Sequence, residues 1–199
     1  MTDKTGICNL GLQKLGLDPI VSIDDSVKTA RAMKTAYDMV RQNELRAHNW
    51  KFAEKDDNLP ALSEAPLFDW NFIYQMPTDC LRLRQIAGIR QSLGRIDYRS
   101  GLENLYTIKG RRIYTNLTAP LPIIYTWDVT DTTLFDPNFN EMLACRLARQ
   151  TCRYLTQNDA AKLDLDKDYK LAKNQALISG ALELPPEGIA DDSFITSRL

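Results

Sequence analysis

Hydrophobic residues recur every three or four positions near the N-terminus, which is the spacing of one buried face of an α-helix. Cys8, Leu12 and Leu15 follow this spacing and predict a helix over residues 4–16, which Gly16 would end. A second, longer helix is predicted up to about residue 47. Its N-cap would come from Asp24, Asp25 and Ser26. Its buried positions would be Ala30, Met33, Tyr37 and Val40.

The same helical spacing returns in the last third of the chain. Asp136-Pro137 favours a helix start, because Asp caps free amide groups and Pro is tolerated at the first helical position. This helix would end near Leu155, with a buried face of Phe139, Met142, Leu143, Leu147 and Tyr154. A further helix is predicted from after Asn158 to Gly180, with a buried stripe of Ala161, Leu165, Tyr169, Ala172 and Ala176.

Between about residues 50 and 130 the pattern changes to alternation, which is typical of β-strands. Trp50 and Phe52 stand two apart, like neighbours on one face of a strand. A further strand face would consist of Ile123, Tyr125 and Trp127. Residues 105–108 and 113–115 predict a hairpin, whose turn over 109–112 contains Gly110 to supply a positive φ.

These elements predict an α+β fold: a four-helix body from both chain ends with an inserted antiparallel β subdomain. We assign residues 1–49 and 131–183 to the helical body, as one discontinuous domain, and residues 50–130 to the β subdomain. Pro185-Pro186 would end regular structure, so residues 184–199 are predicted to form an extended tail that lies on another chain.

The composition is typical of a globular protein, with 44% hydrophobic and 26% charged residues and a net charge of −1. No apolar run approaches the roughly 20 residues that cross a bilayer, and the first residues do not resemble a secretory signal. We therefore expect synthesis in the cytoplasm and no membrane partner. The four cysteines form no CxxC motif and are expected to be buried thiols.

Few residues could carry catalysis. His48, the one histidine, lies at a predicted helix end where capping or packing is common, and no nucleophile is near it in sequence. Adjacent acids could bind a metal or act as acid and base, but neighbouring side chains on extended chain point apart. These pairs are Asp24-Asp25, Asp56-Asp57 and Asp191-Asp192. The sequence therefore predicts caps and turns at these pairs, no metal site, no cofactor and no enzyme.

Charge is unevenly distributed along this nearly neutral chain. Residues 156–192 carry a net charge of −4, whereas residues 81–117 carry +6. The basic side chains of the second segment are Arg82, Arg84, Arg90, Arg95, Arg99, Lys109, Arg111 and Arg112. They could face a lumen or a phosphate backbone, meet the acidic part of a neighbouring subunit, or form a solvated sheet face with intramolecular ion pairs.

A second basic feature is a helical stripe formed by Arg146, Arg149 and Arg153, which repeat at steps of three and four. Because a guanidinium binds carboxylates bidentately, this stripe could contact a neighbouring subunit. It could equally pair with acids on the next helix, which are Asp164, Asp166 and Asp168. The apolar pair Phe194-Ile195 in the polar tail is a further candidate contact.

Several short segments occur in a recognisable order over residues 7–180. They are Leu12 to Gly16, Pro19-Ile20, Ser22 to Asp25, Tyr37, Arg41, Glu44-Leu45, Trp50 to Ala53, Tyr74 to Arg82 with its Pro–x–Asp–Cys–Leu–Arg sequence, the hairpin Tyr106 to Thr115, Asp131, Leu134 to Pro137, Phe139 and Leu147-Ala148. In this order they resemble the tail tubular protein A family, which comprises head-to-tail adaptors of short-tailed bacteriophages and prophages.

This resemblance implies a structural protein of the virion tail. It implies a ring of twelve copies docked under the portal protein, with the tail nozzle protein below and DNA passing through the lumen without sequence readout. It also implies no cofactor and no reaction. A ring requires head-to-tail contacts between unlike patches, which the segregated charges could provide.

Two other functions stay open on the sequence. A small glycan hydrolase acting in host entry would need two convergent carboxylates across a cleft. A sequence-independent DNA-binding module would use the basic residues from Arg82 to Arg112 and would bind duplex DNA in a salt-dependent manner.

Overall fold

A computed structural model describes residues 3–66, 70–87, 89–90 and 105–182 of the chain. Within these ranges, helices occupy the two ends of the chain and strands lie between them. The predicted α+β class is therefore confirmed. The predicted tail lies outside the described residues, and the division into a discontinuous helical domain and an inserted β subdomain stays a prediction.

The α-helices among the described residues are α1 (Lys4–Lys14), α2 (Lys28–Ala47), α3 (Pro137–Thr156) and α4 (Asp159–Leu182). The central helix is α3, which contacts each of the other three. The predicted inner positions are buried on α1 at Cys8 and Leu12, on α2 at Ala30, Met33, Tyr37 and Val40, and on α3 at Phe139, Met142, Leu143 and Leu147. On α4 the buried positions are Leu165, Ala172 and Ala176.

Tyr154 departs from this pattern, and its predicted burial on α3 is wrong because the side chain is exposed. The helix α2 begins beside it, with the Lys28 ammonium 4.9 Å from the centre of the Tyr154 ring. Periodicity identified the correct face of α3, but the neighbouring helix does not extend far enough to cover its last turn.

Side chains cap α1 and α3 but not α2. The Asp3 carboxylate accepts a hydrogen bond from the Gly6 amide at 2.7 Å. At α3, the predicted Asp136 cap is confirmed, because the Asp136 carboxylate accepts a hydrogen bond from the Asn138 amide at 2.7 Å. The predicted cap of α2 is wrong, since its N-cap residue is Val27 and makes no side-chain hydrogen bond.

The acids expected to cap α2 have other partners. The Asp25 carboxylate accepts from the Ser22 amide at 2.9 Å and so closes the preceding turn. The Asp24 carboxylate pairs with Lys34 at 2.8 Å. Both residues therefore serve local structure, although at positions different from the predicted cap.

The strands are β1 (Glu54–Leu59), β2 (Phe72–Gln75), β3 (Cys80–Ile86), β4 (Ile89–Arg90), β5 (Tyr106–Lys109), β6 (Arg112–Thr115) and β7 (Leu121–Trp127). They form two antiparallel sheets, one with the order β1-β7-β3-β4 and one with the order β2-β6-β5. The predicted hairpin is confirmed as β5–β6. Its turn is tighter than predicted, because Lys109 pairs with Arg112 and only Gly110 (φ 61°) and Arg111 lie between them.

The segment around Trp50 is not a strand, so the predicted strand face of Trp50 and Phe52 is wrong. Residues Lys51–Ala53 form one 3-10 turn, and β1 starts after it. Both rings instead lie against Phe139, with centroid distances of 5.0 Å. The Trp50 indole also donates to the Glu44 carbonyl at 2.9 Å. These contacts fix the segment to the helical core, which local alternation could not reveal.

Buried hydrophobic residues form two main clusters in the described part of the chain. One unites helices from both chain ends and includes Leu12, Tyr37, Phe139 and Ala172. The other lies among the strands and includes Tyr74, Leu83, Ile113 and Tyr125. Trp127 is half-buried and packs against both clusters. All four cysteines are buried free thiols, as predicted.

Within the described ranges, no helix combines the length and the apolar character that crossing a membrane requires.

Candidate functional site

The basic residues of segment 81–117 have several different environments. The Lys109 ammonium lies 5.4 Å from the centre of the Tyr114 ring, and Arg112 pairs with Glu64 at 2.8 Å. Three of the predicted side chains lie outside the described part of the structure: Arg90, Arg95 and Arg99. Intramolecular contacts, one of the predicted alternatives, therefore account for part of this charge.

Arg84 points into the protein, and its predicted role as a lumen- or phosphate-facing residue is wrong. It is 9% exposed. Its guanidinium donates to the Thr126 hydroxyl at 2.8 Å, to the Glu54 carboxylate at 2.7 Å and to the Trp50 carbonyl at 2.8 Å. A register irregularity between Leu83 and Gln85 interrupts the alternation of β3, so Leu83 and Arg84 are both buried.

Burial removes water from the charged Arg84 guanidinium, and neighbouring groups offset this loss of solvation. Loss of solvation lowers the pKa of the Arg84 guanidinium, and the Glu54 carboxylate opposes this effect. The positive charge is thus compensated inside the protein. Arg84 belongs to the structural framework between the helical core and β1.

Three other guanidinium groups either belong to the start of β3 or donate to residues at its start. They belong to Arg46 on α2, Arg82 on β3 and Arg111 in the hairpin turn, and we call them the arginine cluster. Their acceptors are all neutral: the backbone carbonyls of Pro77, Thr78, Cys80 and Leu81 and the side-chain amide of Asn49. The sequence identified Arg82 and Arg111 as phosphate-facing candidates but missed Arg46, which is distant in the chain and lies on a helix.

His48 lies beside this cluster at the C-terminal end of α2. It is half-buried, and its ring meets the Trp50 ring edge-on at a centroid distance of 5.7 Å. Burial lowers the pKa of His48, and the charges of Lys173 and Arg82 lower it further. The imidazole therefore packs in its neutral form at neutral pH, consistent with the predicted packing role.

The helical arginine stripe divides among different partners. Arg146 pairs with Glu44 of α2 at 3.1 Å, whereas Arg149 pairs with Asp166 of α4, one of the predicted acids. Arg153 is exposed and makes no ion pair among the described residues. Its role as a subunit contact stays a prediction. The tail residues Phe194 and Ile195 lie outside the described part of the chain.

Glu44 is a buried charge at the junction of three helices. Its carboxylate accepts from the Arg146 guanidinium of α3 at 3.1 Å and from the Tyr169 hydroxyl of α4 at 3.0 Å. Burial and the nearby Glu44 carboxylate raise the pKa of Tyr169 to about 12. Sequence reasoning named Glu44 only as part of the family resemblance and missed its buried role. A signal existed, because Glu44 follows Tyr37 by seven positions and Val40 by four, on the buried stripe of α2.

The helix α4 has apolar residues on two faces. One face packs against α3 through Leu165, Ala172 and Ala176. On the other, Leu163, Leu171 and Ile178 are 65%, 61% and 62% exposed. At 100° per residue these three positions lie within one arc of the helix. We call this set the outer face of α4.

A cleft of about 830 Å³ lies between α1 and the start of α3. Leu10, Phe135 and Ala144 form apolar parts of its wall, and Lys14 pairs with Glu141 there at 3.5 Å. Glu141 supplies the one carboxylate among its lining residues. This cleft therefore lacks the pair of convergent carboxylates that the hydrolase alternative needs.

A smaller cleft of about 450 Å³ runs along β1 and includes Asp56 and Asp57. As neighbours on a strand, these residues project to opposite sides of the sheet, so they are poorly placed to act as a pair. In the part of the chain that the structure describes, no group of three or more His, Cys, Asp and Glu side chains could hold a metal ion. Asp191-Asp192 lies outside that part.

Comparison with known proteins supplies no family for this chain: no protein-family model matches it, and no curated protein matches it.

Proposed function

We propose that this protein is a structural subunit of a virion tail, which forms a ring between the portal protein and the tail nozzle protein of a short-tailed bacteriophage. The ring would surround the channel through which DNA leaves the head. The ordered resemblance of residues 7–180 to the tail tubular protein A family supports this function. The outer face of α4 is the structural observation that carries the proposed self-association.

The outer face of α4 is unusual because its apolar residues are not scattered. Leu163 and Ile178 are separated by 15 residues, which is about 22 Å along a helix axis. Full burial of one Leu or Ile side chain stabilises by about 1.5–3 kcal/mol relative to exposure. For a stripe of three such residues along one helix, the free energy of burial is largest when one partner covers the whole stripe.

We expect the partner on this face to be a second copy of the chain. In a closed ring every subunit presents the same two unlike patches, one at each side. Charged groups that form no ion pair among the described residues include both signs, for example Arg153 at the end of α3 and Asp168 on α4. Opposite charges that meet across a head-to-tail contact help to set its register.

Native mass spectrometry of the full chain, alone and with the portal protein of the same virus, tests this proposal. We expect a monomeric or weakly associating free subunit that closes into a ring on the portal. The triple variant Leu163→Glu, Leu171→Glu, Ile178→Glu should reduce ring formation at least tenfold. Its matched control is Val21→Glu, a 95% exposed apolar residue away from α4, which should assemble normally.

The two possible failures have separate meanings. A chain that stays monomeric and makes no contact with the portal contradicts the adaptor function. A ring that still forms in the triple variant retains the adaptor function but excludes the outer face of α4 as the subunit contact.

A further inference from the structure

The guanidinium groups of the arginine cluster bind different acceptors from those of most other described arginines. Arg46 donates to the Leu81 carbonyl, and Arg82 donates to the Asn49 side-chain oxygen. Arg111 donates to the Thr78 carbonyl at 3.1 Å. By contrast, five arginines elsewhere in the described chain each pair with a carboxylate: Arg41, Arg84, Arg112, Arg146 and Arg149. Within the described ranges, no carboxylate pairs with a guanidinium of the cluster.

The one acid within residues 77–82 does not neutralise the cluster. The Asp79 carboxylate accepts from the Lys55 ammonium at 2.8 Å and from the Tyr125 hydroxyl at 3.1 Å. It therefore compensates Lys55. Lys173 of α4 is a further positive charge near His48, whose pKa it lowers.

The surroundings of the cluster favour a polyanion over a protein surface. Hot spots of protein interfaces are rich in Trp and Tyr as well as Arg, and they lie in well-packed, desolvated pockets. No exposed large hydrophobic residue of the described chain lies within residues 77–82 or in the last turn of α2, and the hairpin that carries Arg111 has one, Ile108 on β5, which is 40% exposed. Each guanidinium carries five N–H donors, and a carbonyl or amide acceptor occupies only part of this set, so donors stay available for phosphate oxygens.

We propose that Arg46, Arg82 and Arg111 form one contact surface for the phosphate backbone of duplex DNA, which they bind without sequence readout. The proposal rests on the function proposed above in that it identifies where the expected DNA partner touches the subunit. It concerns a surface present in each single subunit, so it can be measured without ring closure.

Phosphate binding has a characteristic dependence on salt. The logarithm of the binding constant falls with the logarithm of salt concentration by about 0.9 per neutralised phosphate. Three contacts give a slope of about −2.7, which corresponds to about a 40-fold loss of affinity between 50 and 200 mM salt. Each single Arg→Gln substitution in the cluster should reduce this slope by about 0.9.

Fluorescence anisotropy of a labelled duplex, titrated with the full chain at several salt concentrations, measures this slope. The triple variant Arg46→Gln, Arg82→Gln, Arg111→Gln should bind at least tenfold more weakly at 50 mM salt, with a slope near zero. The triple Lys variant at the same positions keeps the charges and should retain the slope. The single Gln variants give the answer if a triple variant does not fold.

A matched control removes three exposed cations in the N-terminal half of α2 with Lys28→Gln, Arg31→Gln and Lys34→Gln. Lys28 is 18 residues from Arg46, or about 27 Å along the helix. This control should keep the wild-type slope. If the control variant lost as much DNA affinity as the cluster variant, net charge alone would explain the loss, and the proposal would be overturned.

Two further outcomes would also overturn it: no binding by the wild-type chain at 50 mM salt, or equally tight binding of poly-glutamate, which would indicate an acidic protein partner. Ring assembly on the portal, measured for the same Gln variant, separates this proposal from the adaptor function. Loss of DNA binding with intact rings in the cluster variant supports both proposals. A wild-type chain that forms rings but does not bind DNA overturns this proposal alone.

Discussion

Tyr169 and Glu44 are joined across the helical body, with the Tyr169 hydroxyl 3.0 and 3.1 Å from the two carboxylate oxygens of Glu44. Arg146 reaches the same carboxylate from α3. A buried carboxylate is tolerated only when hydrogen bonds and an opposite charge replace its lost solvation. The contact therefore fixes the relative position of α2, α3 and α4.

Removal of this hydroxyl should destabilise the protein. Tyr169→Phe keeps the ring but leaves Glu44 with one donor fewer, and a hydrogen bond to a charged group contributes about 2 kcal/mol. We expect this loss in the free energy of unfolding, measured by urea titration. The control Tyr154→Phe changes an exposed tyrosine and should alter stability by less than about 0.5 kcal/mol. Equal effects of the two variants would contradict the role of the Glu44 contact.

Arg84 provides a second test of a buried charge. Arg84→Met keeps much of the side-chain volume but removes the Arg84 donor from the Trp50 carbonyl and leaves the Glu54 carboxylate with the Lys51 ammonium as its remaining partner among the described residues. We expect a loss of about 3 kcal/mol in the free energy of unfolding. Arg112→Met, which breaks a more exposed ion pair with Glu64, should cost less than about 1 kcal/mol. A small effect at Arg84 would mean that its guanidinium is not structural.

The single histidine should give stability a recognisable pH dependence. Burial, with Lys173 and Arg82, lowers the pKa of His48 below its ordinary value of 6.5, although Glu44 opposes this. The unfolded chain therefore takes up a proton at a higher pH than the folded protein does. The stabilisation from neutral His48 is complete above about pH 6.5 and is lost as the pH falls through that value toward the folded pKa.

His48→Gln removes this titration. Urea midpoints measured between about pH 7.5 and 5.5 should fall less steeply for the variant than for the wild-type protein. Because the chain has no other histidine, the difference between the two curves belongs to His48. Parallel curves would show that the histidine has the same pKa in the folded and unfolded states.

Two glycines on helices should respond in opposite directions to a larger side chain. A Cβ at Gly11 would lie 3.1 Å from the Ala144 carbonyl oxygen of α3, whereas a Cβ at Gly180 would meet nothing within 4 Å. We expect Gly180→Ala to stabilise α4 by up to about 1 kcal/mol through helix propensity. Gly11→Val should destabilise by about 1–3 kcal/mol, because α1 and α3 must separate. Thermal unfolding measures both effects, and a Gly11→Val protein as stable as the wild type would contradict the close approach.

The elements that the sequence predicted well are those whose signal is local and long. Period-3.6 patterns identified all four described helices, and Gly110 identified the β5–β6 hairpin. Asp136-Pro137 gave the start of α3. In each case the residues that carry the signal also form the element, so no distant contact is needed to interpret them.

The errors occurred where a distant part of the chain decides the outcome. Trp50 and Phe52 alternate like strand residues, yet Phe139, which is far along the chain, draws both rings into the helical core. The sequence pattern predicted Arg84 to be a surface cation. A register irregularity in β3 instead places its side chain inside the protein, where it pairs with Glu54. A count of charges does not say which of them find partners.

The sequence alone determined the α+β fold class, because the spacing of hydrophobic residues fixes which helices and strands can bury one face. It also predicted an uneven distribution of charge. Only the tertiary structure decided which charges are compensated, since Arg46, Arg82 and Arg111 come from α2, β3 and a hairpin turn. Electrostatic compensation depends on distances between side chains that are remote in the sequence, and packing sets those distances.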